Sequence, residues 1–366
     1  MKTTLFALLT ILFVSCSTTL KQFFSGDDDI NQRNEKLMQE DFEVEETVLE
    51  KFKEGDAPEK GLVQKEKPKK VEPEKVSPTK EKRNADRPKF VAVKKRHKEN
   101  KSIQKKTIPK EIYPIDYPND LKVLDKTSLK YWNQLKAEII PNEKTVMDIS
   151  YMGISTGKIT ISTLEDTMIG GQSVYHVNAR IKTADFYSYL YELDDFCDSF
   201  ITKEKFLPIK FSLIQRESAQ NIDDLQLFDL DGLKTYSLYK RVTDEKTKKT
   251  KKEEFIPHYF QDPLSIVFFI RSLPLNKKNQ KYTIPIVNQG KVEILTATVQ
   301  ETETINTQIG KKLARKVSIF TRAKGKTISG GNMTFWFSED EKKIFLKFKA
   351  KIKIGSISGE IVSHDM

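Results

Sequence analysis

The sequence predicts an all-β domain, an antiparallel curved sheet or open β-barrel or β-roll of about twelve strands with one or two short helices, preceded by a disordered charged linker. Three observations carry this. From position 141 onward, β-branched and aromatic residues alternate with polar ones, the pattern of half-buried strands. The composition, 37% hydrophobic against 31% charged, is too polar for the whole chain to pack. The charge is also segregated by region.

The first element is an export signal. Met1-Lys2 is followed by an apolar run, Leu5 to Val14, of signal-peptide length and too short to span a bilayer comfortably. It ends in Phe13-Val14-Ser15-Cys16, which resembles the bacterial lipobox. That likeness implies a signal peptide over residues 1–15 and lipidation of Cys16. Acyl chains contribute roughly 0.8 kcal/mol per buried methylene, so several of them anchor a protein to a membrane. Ser17 in place of Asp after the cysteine points, by the Gram-negative sorting pattern, to the outer membrane facing the periplasm. With Cys16 lipidated, Cys197 is the remaining cysteine of the two, so no intramolecular disulfide forms.

Residues 16–110 read as the tether. From Lys21 to Glu59 there are 5 basic and 13 acidic residues, and from Lys60 to Lys110 there are 19 basic and 6 acidic. The second stretch, net +13, exceeds the excess of +11 carried by the whole chain, so the remainder is nearly balanced. Glu/Lys/Pro runs such as Lys67 to Lys75 favour an extended, solvated linker, and about ninety residues of flexible coil span about 50 Å. Phe42 to Phe52 has enough apolar residues for a transient helix that engages a partner; the alternative is a solvated acidic stretch. The basic block Lys94–Lys106 suits anionic envelope polymer or lipid. An exported chain makes nucleic acid an unsuitable partner for it.

Residues 111–140 form a lead-in, with a short helix expected over 127–135 from its hydroxyl cap and apolar spacing. The β domain follows over 141–366. Strands are expected at 145–151, 157–165, 173–183, 189–200, 208–217, 223–229, 235–242, 282–287, 291–302, 313–322, 332–337 and 344–354. So many strands curl or close to bury one face. One apolar helix interrupts them. Asp262-Pro263 supplies its cap and first turn, Ile266 to Ile270 its body, and Pro274 its stop; its apolarity predicts a plug on the concave side of the sheet.

Several segments in order resemble a family of bacterial exported proteins known as domain of unknown function 3108. They are Pro141-Asn142-Glu143-Lys144, Tyr151 to Gly157, Tyr187 to Asp195, Gln261 to Ser265, and Ile352 to Ser356. Asn142 stands where the resemblance leads one to expect glycine. The resemblance covers residues 140–366 and implies an exported, mostly antiparallel β domain; it implies no activity and no catalytic residues.

The chemistry-bearing residues make no strong motif. Cys197 with His176 or His258 and one of Asp194, Asp195 or Asp198 could be assembled into a cysteine hydrolase, but the surrounding Phe196 to Phe200 reads as an alternating strand. The expectation is no enzyme, no cofactor and no metal. The last predicted strand places Ile344, Leu346, Phe348, Ala350, Ile352 and Ile354 on one face and Lys347, Lys349, Lys351 and Lys353 on the other. That lysine row is a candidate site for a polyanion, or a face that resists edge aggregation. Phe186, Tyr189, Phe268, Phe269 and Trp336 are candidates for an apolar groove. The expected function is a non-enzymatic envelope lipoprotein whose curved domain binds a lipid, lipoprotein or peptide; the alternative is an envelope scaffold that meets protein partners and holds no small ligand.

Overall fold

The computed structural model describes residues 30–55, 113–137, 139–189, 191–323, 326–352 and 355–366. The export signal, Cys16, the basic block 94–106 and Lys353 lie outside the described residues. The N-terminal elements are α1 (Ile30–Lys36), which runs into a π-helical turn (Leu37–Asp41), then α2 (Glu46–Lys51), β1 (Glu54–Gly55) and α3 (Asn119–Trp132). The first half of the β domain holds β2 (Lys144–Tyr151), β3 (Ile154–Thr163), β4 (Thr167–Ile169), β5 (Gln172–Thr183), α4 (Asp185–Ser188), β6 (Asp194–Thr202), β7 (Pro208–Glu217), β8 (Gln220–Asp229), β9 (Lys234–Val242) and β10 (Thr247–Phe255). The second half holds α5 (Ser265–Ser272), β11 (Lys281–Asn288), β12 (Lys291–Thr307), β13 (Gly310–Ala323), β14 (Lys326–Ser338), β15 (Phe345–Lys351) and β16 (Ser356–Asp365).

Among the described residues these strands make one 16-stranded sheet in the order β10, β9, β8, β7, β6, β5, β3, β2, β16, β15, β14, β13, β12, β11, with β4 on β5 and β1 on β4. Each half is a meander, and β16 joins them by pairing antiparallel with β2. The backbone ladder does not close, because β10 and β11 end the path. Side chains bridge the gap instead. Gln226 Nε2 donates to Asn288 Oδ1 at 2.9 Å, Gln289 Nε2 to Asp224 Oδ2 at 2.6 Å, and Lys252 Nζ to the Gln289 carbonyl at 3.0 Å.

All twelve expected strands are present, with four more that the alternation did not mark: β1, β4, β10 and β16. The Lys- and Glu-rich β10 has no apolar face because it is a sheet edge, where charge discourages further pairing. In β16, small and polar residues break the pattern; Gly359 leaves room for the ring of the cross-strand Phe348. The strand expected over 189–200 begins only at Asp194, after the α4 turn. The helix expected over 127–135 is α3, which starts eight residues earlier because its buried face carries Asp125 among Leu121, Ser128 and Tyr131. The Asp125 carboxylate accepts from Tyr117 Oη at 2.8 Å and His258 N–H at 2.7 Å. Asn142 has φ 59°, a left-handed position that asparagine tolerates better than most residues.

The plug helix is as expected. Asp262 Oδ1 accepts the N–H groups of Leu264 and Ser265, both at 2.7 Å, and α5 is buried at every position but Val267. Phe269 packs on Trp132 of α3 at 4.3 Å between ring centroids. At the other end, Arg271 Nη1 reaches both oxygens of Glu143 at 2.8 Å, a buried pair that holds α5 to the start of β2.

The tether needs correction at its acidic end. Residues 30–55 are folded onto the sheet. Leu37 and Phe52 are buried, and Met38, Phe42, Val44 and Val48 half-buried, against Ile169, Val174, Phe200, Ile209, Leu225, Leu227 and Leu238. Asp41 bonds Lys240 at 2.6 Å and Lys249 at 2.8 Å, and Glu54 pairs with Lys210. The acidic charge that suggested a solvated chain is thus complemented by lysines of the domain. Burial of the interspersed apolar side chains offsets the entropy of ordering the segment.

Candidate functional site

One inner-face cavity is built where α5 fails to fill the curve of the sheet. Strands β5, β3, β2, β16, β15, β14, β13 and β12 are consecutive neighbours. Their inward residues Ile181, Ile159, Ile161, Ile149, Ile357, Phe348, Phe345, Phe335, Met333 and Leu295 face Pro263, Leu264, Ile266 and Val267 across a cavity of about 90 Å³. The remaining wall is Thr156, Gly157, Lys182, Thr183 and Leu193. Lys182 is the one ionisable residue in that wall, so the space suits hydrocarbon.

The cavity lies toward one end of the sheet. Ala184 N–H, just past Thr183, bonds the Thr156 carbonyl at 3.0 Å, which sets the α4 turn beside the β2–β3 turn. These turns expose Met152, Ile154, Phe186 and Tyr189, the last two 71% and 72% exposed. Large apolar groups are therefore left in water next to the cavity wall.

At the same end of the sheet, Glu293 and Thr321 are buried on the inner face, and among the described residues neither Glu293 carboxylate oxygen nor the Thr321 hydroxyl has a hydrogen-bond partner. Burial pushes the Glu293 carboxyl up to about 7. Other buried acids are better supplied. Asp262, pushed up to about 6 by burial, accepts from Ser199 and from two backbone N–H groups. Asp195, raised by burial and by the charge of Glu217, accepts from Gln215 at 3.0 Å and Arg216 N–H at 2.9 Å.

The structure places the expected groove residues elsewhere. Phe268 and Phe269 are core, and Phe186 and Tyr189 sit outside on the α4 turn. Trp336 lies on the other face of β14 from Phe335. It packs with Ala314, Leu346 and Ile361, under Lys316 Nζ at 5.6 Å from its ring. The apolar space is instead formed by their neighbours in sequence, Val267 and Phe335, because strand and helix periodicity turn adjacent residues to opposite sides.

The lysine row is also rearranged. A register shift between Trp336 and Phe337 pairs Phe337 with Phe345 but Trp336 with Lys347. This β-bulge puts Leu346 in the outer cluster and Phe345 and Phe348 in the inner one, so the single apolar face expected from Ile344 through Phe348 does not exist. Lys347 is bonded to Glu360 at 2.7 Å, while Lys349 and Lys351 are exposed.

The residues of the imagined hydrolase are not brought together. Cys197 is buried on the inner face, and its thiol is pushed up by burial and then by the charge of Asp262. His176 is on the outer face, stacked on Phe200 and bonded to Asp198 at 2.7 Å. His258 lies by Tyr113 and Asp125. Asp194 is taken by Arg180 through two bonds of 2.8 Å. Among the described residues no three His, Cys, Asp or Glu side chains form a metal-binding group.

The family model for proteins of unknown function DUF3108 matches residues 146–362, the whole span from β2 to β16 that encloses the cavity. The chain belongs to the DUF3108 family. No curated protein matches it. Among solved structures, this DUF3108 chain is similar to a β-barrel-like protein of domain of unknown function DUF1849 from Brucella abortus. Identity there is 12%, over 61% of this chain and 97% of that one, with TM-score 0.39. A Bacteroides fragilis protein described as exported, with a YmcC-like fold, aligns at 9% identity over 64% of this chain and 100% of its own, with TM-score 0.29. A Parabacteroides distasonis protein described as a lipoprotein aligns at 8% identity over 63% and 99%, with TM-score 0.27.

Proposed function

We propose that this DUF3108 protein is a non-enzymatic lipoprotein of the bacterial envelope, anchored at Cys16 in the outer membrane facing the periplasm, whose β domain holds an apolar or amphipathic ligand on its inner face. The single observation that carries the binding role is the cavity between α5 and strands β2, β3, β5, β12 and β14 to β16, walled almost entirely by hydrocarbon. Protein cores leave few voids larger than a water molecule, and this one is bounded by side chains that favour hydrocarbon. The exposed Met152, Ile154, Phe186 and Tyr189 beside it give an arriving chain an apolar path. Anchorage rests on the export signal and lipobox-like Ser15-Cys16; association with anionic envelope material rests on the basic block and on Lys349 and Lys351.

Native mass spectrometry of the full chain, purified gently from its host, tests the binding role. A lipid or lipopeptide at one per chain is the expected result, with loss of that mass in Val267→Phe, which projects a ring into the cavity. A clean apo mass across several mild detergents overturns the reading in favour of an envelope scaffold.

A further inference from the structure

We propose that Glu293 and Thr321 form the head-group subsite of this cavity, and that its ligand is an apolar chain ending in a hydrogen-bond donor: an ammonium, an amide N–H or a hydroxyl. The inference rests on the cavity reading above and gives it a ligand class.

On β12, Glu293, Leu295, Ala297 and Val299 are the buried positions of an alternating strand. Leu295 lines the cavity, so Glu293 is the next inward side chain toward the end of the sheet. Leu295 is paired with Thr321 of β13, which makes Glu293 and Thr321 diagonal neighbours on the inner face, about 7–8 Å apart between Cα atoms. Glu293 is 1% exposed and Thr321 0%.

Among the described residues, both carboxylate oxygens of Glu293 lack a hydrogen-bond partner, as does the Thr321 hydroxyl. Buried polar atoms are normally partnered, and Glu143 and Asp262 in the same interior are. An ionised carboxylate is an acceptor only, so what completes this site is a donor. Thr321 can accept a second donor or give its proton to a hydroxyl oxygen. Lys291, the cation that acts on Glu293, lies exposed on the same strand and leaves both carboxylate oxygens unbonded. Where Glu293 is ionised, carboxylate and phosphate heads are disfavoured by like charge, so the ligands are compared at pH 8, above its folded-state value of about 7.

The test uses the full chain and a fluorescent neutral apolar probe, N-phenyl-1-naphthylamine, displaced by octylamine, octanol or octanoate. Octylamine and octanol are expected to displace it at concentrations at least about tenfold below octanoate, the size of one charge-assisted hydrogen bond. Glu293→Gln is expected to shrink the octylamine-to-octanoate gap about tenfold, while a single cooperative melt and an unchanged far-UV circular dichroism spectrum report an intact fold. Equal displacement by all three in the wild type, or a gap that survives Glu293→Gln, overturns the head-group subsite and leaves the chain-binding reading standing. Failure of the probe and all three ligands to bind removes both. Should Glu293→Gln not fold, the wild-type ranking decides by itself.

Discussion

The outer and inner faces of the sheet solve the same problem in different ways. Outside strands β5 to β9, an apolar patch around Phe200, Ile209, Leu225 and Leu238 is covered by the chain's own residues 30–55, and the ion pairs from Asp41 and Glu54 match the lysines at its border. Inside, α5 covers the curve of the sheet but leaves about 90 Å³ against strands β2, β3, β5, β12 and β14 to β16, with a carboxylate at that end that has no hydrogen-bond partner among the described residues. The outer patch is completed from within the polypeptide. The inner one is left unfilled by the polypeptide, and that contrast is why the proposed binding is assigned to the inner face.

The largest expected effect breaks the inner face. Arg271→Met leaves Glu143 buried without its cation and is expected to cost about 3–5 kcal/mol in urea denaturation, with much of the loss recovered by adding Glu143→Leu. On the outer face, Phe52→Ala is expected to cost about 3 kcal/mol of docking energy. The loss falls on residues 30–55 alone: their amides exchange faster in hydrogen-exchange mass spectrometry, while the melting midpoint of the β domain moves little.

A smaller effect sharpens the account of the bare carboxylate. The folded-state value for Glu293, about 7 against an ordinary 4.5, means that between those values the native state holds a proton the unfolded chain has already released. Stability is then highest below the unfolded value and declines as pH rises through the interval up to about 7. Glu293→Gln is expected to remove on the order of 2 kcal/mol of that decline, read from denaturation midpoints at pH 5 and pH 8. Asp195, Asp224 and Asp262 are raised in the same sense, so part of the slope persists in the variant. The smallest effect is Val267→Leu, which adds a methylene to the cavity wall and is expected to raise stability by about 0.5–1 kcal/mol while lowering ligand occupancy.

Much of the fold was legible because the strands that face a core on one side must alternate. The run Pro208–Glu217 matches its expected strand to the residue, and Asp262 announces α5. The unread parts share one cause, contacts distant in sequence. The β10 strand looks like a charged loop until β9 pairs with it. The segment 30–55 looks like a tether until lysines more than a hundred residues away neutralise it. Leu346 leaves the expected face and joins Trp336 on the outer side because the bulge between β14 and β15 is invisible in a regular period-two pattern. Glu293 did leave a signal: it occupies the apolar phase of Glu293, Leu295, Ala297 and Val299, and an acid there is out of place.

By itself the amino-acid sequence determined the all-β class, the helical plug and the family, and it carries the expectation of an export signal with a candidate acylation site at Cys16, since each is written in local composition or short-range period. Only the tertiary structure decided that the sheet stops short of backbone closure, that residues 30–55 cap its outer face, and that the unfilled space lies beside Val267 and Phe335, away from Phe268 and Trp336. Those outcomes depend on register and on volumes summed over many strands, and no window of adjacent residues contains them.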